Sequence, residues 1–138
     1  AALYLQQSEE LREPLSDTSR LVDFWRMRVG ALSCEVFEVA FLDSAYRLLR
    51  NGVETLEEGT IDRAAVYPRR VLEAAIRRGA AAIVLAHNHP NGNIDPSEQD
   101  KVLTRAIVLA AETVGVKVVD HLIISQNDSF SFRKKGLL

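Results

Sequence analysis

The chain has 138 residues, of which 47% are hydrophobic and 26% charged, with a formal net charge of −2 and a single cysteine. That length fits one domain with its own core; the charge argues against a phosphate-binding footprint, and the lone Cys34 excludes an intrachain disulfide or a cysteine-based metal cage. No apolar run approaches the roughly 18 residues of a membrane span and no signal peptide opens the chain, so a cytoplasmic location is the expectation.

In chain order, the polar opening AALYLQQSEELRE reads as one helix that Pro14 ends. Residues 1–16 are expected to be a linker, or the tail of an upstream region, and 17–138 the domain. SDTS offers caps for an amphipathic helix with apolar positions Leu21, Phe24, Trp25, Val29 and Leu32. CEVFEVAFLD reads as a strand containing a half-buried Cys34, with a turn at Asp43–Ser44. YRLLRNGVETL is its antiparallel partner, with a turn or bulge at Asn51–Gly52 and a strand end at EEGTID. VYPRRVLEAAIRRG is a helix with Pro68 in its first turn and Gly79 as its stop. AAAIVLAH has the continuous apolar character of a strand covered on both faces. PSEQDKVLTRAIVLAAETVG is a helix with an expected apolar face of Val102, Leu103, Ala106, Ile107, Ala110 and Val114. VKVVDHLIIS is a further strand, and SFSFRKK a short edge strand open to pairing. The order predicts an α/β fold with a mixed β-sheet flanked by helices. The basic doublets Arg69/Arg70, Arg77/Arg78 and Lys134/Lys135 read as solvated faces, so nucleic acid is not the expected partner.

The stretch HNHPNGNIDPSEQD at 87–100 carries the chemistry. His87 and His89, two apart at a strand end, point to one side. Asp95, Pro96 and Glu98 predict a capping box that starts the next helix near Asp95 and presents Ser97 and Asp100 on its first turns. Two imidazoles facing one carboxylate leave a fourth position open, the form of a catalytic rather than a structural zinc site. A histidine alone at a strand end, a first-turn serine or a solvated helix acid is common; the combined spacing is not.

H-x-H, seven residues, then S-x-x-D resembles the JAMM (JAB/MPN-type) metalloprotease motif. EVFEVAFLD, EGTIDRAAVYPRRVLEAA, LAHNHPNGNIDPSEQD and VVDHLII, in that order, resemble its RadC (UPF0758) branch over about residues 17–134. The resemblance implies a three-layer, cytidine-deaminase-like architecture and an upstream helix-hairpin-helix segment. It implies one zinc per chain on His87, His89 and Asp100, with Ser97 donating to the oxyanion. It also implies a glutamate as general base: Glu35 first, then Glu57 or Glu58, with Glu38 expected on the other side of its strand as an exposed residue. His121, in VVDHLII, reads as a satisfied core histidine or as outer support for a ligand. Thr60 and Asp62 match a family feature with no assigned mechanism. The implied activity is a zinc metallopeptidase or isopeptidase acting on a peptide or protein. The competing readings are a catalytically silent metal-binding interaction module and an accessory factor in DNA repair. A zinc deaminase would need H-x-E and P-C-x-x-C, which one cysteine rules out.

Overall fold

The computed structural model describes residues 14, 18–59 and 66–138; the helix expected over 1–13 and the pair Thr60 and Asp62 lie outside them. The elements run α1 (Ser19–Val29), β1 (Val36–Leu42), β2 (Leu48–Glu58), α2 (Pro68–Arg78), β3 (Ala82–Asn88), α3 (Glu98–Thr113), β4 (Lys117–Ile124) and β5 (Ser129–Ser131). They form the expected α/β fold, with one mixed five-stranded sheet ordered β2-β1-β3-β4-β5. The β3–β4 pair is parallel, and the other three are antiparallel. A parallel pair needs a crossover, and α3 supplies it.

Alternation along the strands sorts the core into two layers. On one face Ala40, Leu42, Val84 and Leu122 pack with Leu21 and Trp25 of α1. On the other Phe37, Val39 and Leu85 pack with Val71 of α2 and Ile107 of α3. All residues of β1 and β3 are buried, as strands covered on both faces must be. Among the described residues no helix is long and apolar enough to cross a membrane.

Several local expectations are corrected. Helix α1 stops at Val29, so Leu32 lies beyond it and is exposed. Thr18 makes no cap; its hydroxyl donates to Asp120 Oδ2 at 3.3 Å. Cys34 is partly buried but sits before β1, not in it. Asn51–Gly52 is a bulge inside β2 rather than a turn: Asn51 has φ 50°, and the register jumps from Ala40↔Val53 to Leu42↔Leu48. Helix α2 matches expectation, with Pro68 at its start and Gly79 at φ 67° as its left-handed stop. Helix α3 is rotated from the expected face: Thr104, Ile107 and Ala111 are buried, while Val102 is 69% exposed. Only Ser129–Ser131 form the edge strand, and Phe132 beyond it is buried.

Two buried carboxylates tie layers together. Glu38 does face the α1 side of β1, but it is only 3% exposed, contrary to expectation. It accepts from Trp25 Nε1 at 3.0 Å, Arg28 Nε at 2.7 Å and Thr55 Oγ1 at 2.5 Å, enough donors to offset desolvation. Asp120 accepts from Thr18, from Ser131 Oγ at 2.6 Å, and from the backbone N–H groups of His121 and Arg133 at 2.7 and 3.0 Å.

Candidate metal centre

Strand β3 delivers His87 at its end, and His89 follows one residue beyond Asn88. The next turn requires Gly92 at φ 85°, a conformation other residues adopt with strain. The chain then enters α3 through a cap two residues later than the Asp95 expectation. Ser97 is the N-cap: its Oγ accepts from Asp100 N–H at 3.0 Å, and Asp100 Oδ2 accepts from Ser97 N–H at 2.9 Å. Ser97 and Asp100 are thus the two halves of one capping box, which locks the carboxylate relative to the helix start.

The side chains converge. His87 Nε2 and His89 Nε2 lie 3.0 Å apart, and Asp100 approaches them at 3.4 and 3.2 Å through Oδ1 and Oδ2. Glu35 arrives from just before β1, with Oε1 4.0 Å from His87 Nε2. Each of the four residues places a ligand atom within 4.8 Å of the others, and no other such His, Cys, Asp or Glu group occurs among the described residues. Glu57 lies outside the group, paired with Arg70, and Glu58 ends β2 exposed.

Proton placement fixes what this cluster accepts. His89 Nδ1 faces the carbonyl of Asn93 at 2.7 Å, and a carbonyl only accepts, so Nδ1 carries the proton. In neutral His89 the Nε2 lone pair then points at the Asp100 carboxylate, acceptor against acceptor. On the other side a relay supports His87. Thr104 Oγ1 donates to the Asp100 carbonyl at 2.7 Å and accepts from His121 Nδ1 at 2.6 Å. His121 Nε2 in turn accepts from His87 Nδ1 at 2.8 Å, which leaves the His87 Nε2 lone pair facing the cluster. Turning the one Thr104 hydroxyl proton reverses the relay and points an N–H of His87 at the centre instead; a cation there selects the first direction. Two imidazole lone pairs and two carboxylates, held by hydrogen bonds on their far sides, fit a divalent cation of zinc type.

The titration directions say the same. Burial works to raise the Asp100 pKa, yet His87 and His89, once a proton sits on a facing Nε2, outweigh it by hydrogen bonding and hold the carboxyl well below the usual carboxylate range. Burial works to lower that of His89, but the hydrogen bond to Asp100 prevails and raises it. The centre therefore draws positive charge, as a proton on His89 or as a metal. Burial, with His87 beside it, holds His121 well below the ordinary imidazole value, so it stays a neutral link in the relay.

A family model described as "RadC-like JAB domain" matches residues 15–137. The chain belongs to this family. A UPF0758 protein of Actinobacillus pleuropneumoniae serotype 5b is 39% identical over 132 residues, covering 96% of this chain and 59% of that protein. A UPF0758 protein of Leptothrix cholodnii is 40% identical over 132 residues, 95% of this chain and 59% of its own. One of Symbiobacterium thermophilum is 40% identical over 127 residues, with 92% and 53% covered. The chain thus spans just over half the length of these relatives. Its RadC-like JAB domain brings together Glu35, His87, His89 and Asp100, sets Ser97 at the adjoining cap, and places His121 behind His87. Sequence reasoning missed Thr104, although its position four residues after Asp100 places it one helical turn further along on the same face of α3. It also missed the partners of Asn88, which lie in a distant segment.

Proposed function

We propose that this RadC-like JAB domain is a zinc-dependent hydrolase of amide or isopeptide bonds in a peptide or protein. The observation that carries the reading is His89 Nε2 set 3.2 Å from the Asp100 carboxylate, beside His87 and with a second carboxylate close by. His87, His89 and Asp100 would hold one zinc ion. Bound there, zinc supplies Lewis acidity, polarising a carbonyl and easing deprotonation of water near neutral pH. Glu35 is the general base: its carboxylate, on a side chain only 12% exposed, stands 4.0 Å from His87 Nε2, where it would take a proton from water and pass it to the leaving nitrogen. Ser97 Oγ spends a lone pair on Asp100 N–H and keeps its own O–H to donate to the oxygen that gains charge, a contribution of about 3 kcal/mol in comparable sites. The sequence favours a peptide substrate over nucleic acid, and a cytoplasmic location.

Metal content and turnover test this. Wild-type protein is expected to hold about one zinc per chain, lost in His89→Ala and Asp100→Ala. Glu35→Gln is expected to keep zinc and lose peptide-library hydrolysis. Failure of the wild type to bind zinc at near-neutral pH would sink the reading. Zinc binding without hydrolysis of any peptide would leave a metal-binding interaction module.

A further inference from the structure

The backbone ladder between β1 and β3 ends at the pair Phe37↔His87. Beyond it, β3 can offer β1 little: His89 N–H turns to the carbonyl of Ile124 in β4, and Pro90 has no N–H. The segment carrying Glu35 would part from β3 here. It is held instead by a side chain. Asn88 Oδ1 accepts from Val36 N–H at 2.7 Å, and Asn88 Nδ2 donates to the carbonyl of Cys34 at 2.9 Å. A carboxamide carries the same donor and acceptor as a peptide unit. Asn88 thus supplies one extra rung, and that rung brackets Glu35 on both sides. On the opposite edge Gly59 N–H donates to the Glu35 carbonyl at 2.8 Å. Asn88 is 1% exposed, so its two bonds form without competition from water.

We propose that Asn88 is the positioning residue for Glu35, holding its carboxylate against the ligand pair His87 and His89 between which Asn88 itself lies. What Glu35 does once held rests on the hydrolase reading; that Asn88 holds it does not. Replacing Asn88 removes the rung without touching a ligand. A displacement of the order of 1 Å in a reacting group costs about 100-fold in rate.

Cobalt(II)-loaded protein provides a test independent of turnover. In Asn88→Ala the cobalt stoichiometry and the shifted ring signals of His87 and His89 are expected to match the wild type, while the Glu35 amide loses its wild-type paramagnetic shift. Asn88→Ser serves the same purpose if Asn88→Ala does not fold. With a peptide substrate, Asn88→Ala is expected to lower kcat about 100-fold at unchanged KM, and adding it to Glu35→Gln to cost nothing more. An unmoved Glu35 signal, or losses that multiply in the double variant, would overturn the proposal. A displaced Glu35 signal in a domain whose wild type cleaves no peptide would retire the hydrolase reading and leave the positioning role standing.

Discussion

His121 does two jobs, and each makes a prediction. As the acceptor for His87 Nδ1–H it fixes which nitrogen faces the centre, so His121→Phe is expected to weaken zinc affinity about 10- to 100-fold in a chelator competition. As a buried neutral imidazole it also makes stability depend on pH. Its folded pKa is lowered, so below the ordinary value of about 6.5 the unfolded chain takes up a proton that the folded chain refuses. Stability from this group is therefore lost as pH falls, by at most about 1.4 kcal/mol per pH unit. His89 has the opposite sign: its folded pKa is raised, so its contribution is complete below about 6.5 and is lost only as pH rises through the folded value. Urea denaturation of chelator-treated protein is expected to show wild type losing stability from pH 6.5 downward, with His121→Gln flattening that limb. His87, His89, Ser97 and Asp100 were legible because H-x-H and S-x-x-D are local patterns, whereas Glu35 came from the family resemblance, with other glutamates left open. Glu38 and Asn88 were not, since their partners Trp25, Thr55, Cys34 and Val36 come from segments that only the folded register brings near. A glutamate inside a strand reads as exposed until three donors are seen around it.

At the scale of elements, the start of α3 decides the geometry of Asp100. Ser97→Ala removes the acceptor for Asp100 N–H and is expected to cost about 1 kcal/mol in chemical denaturation, the usual value of a lost N-cap. It should also weaken zinc binding, because the freed first turn no longer holds the carboxylate. A merely exposed serine would lose neither. Gly79→Ala, which forces a Cβ into a left-handed φ of 67°, is expected to cost about 1–2 kcal/mol without affecting metal. Most elements could be read from the chain because punctuation and periodicity agree: Pro68 and Gly79 bracket α2, and the apolar run of β3 has strand length. The start of α3 misled because two capping boxes overlap. Asp95 with Glu98 fits the common sequence signature; Ser97 with Asp100 wins because its carboxylate is also drawn to two histidines. The rotated face of α3 follows from the same anchor, since Asp100 and Thr104 must look toward β3 and β4 and turn Val102 outward.

For the whole molecule, the proposed zinc binding would form one equilibrium with folding. The ligands come from β3, the loop after it and α3, and Glu35 from the entry to β1, so the centre exists only in the folded chain. At a free zinc concentration a thousand times Kd the gain is about 4 kcal/mol, which corresponds to a melting temperature higher by roughly ten degrees in calorimetry. His89→Ala should lose that increment. The Asp120 carboxylate has a different kind of consequence. It grips Thr18, at the entry to the first helix, together with Ser131 and Arg133, beyond the last long strand. A pull on the polypeptide ahead of the first helix meets this clasp at Thr18. The clasp thus ties the entry to α1 to the residue beside His121, one step from the relay behind His87.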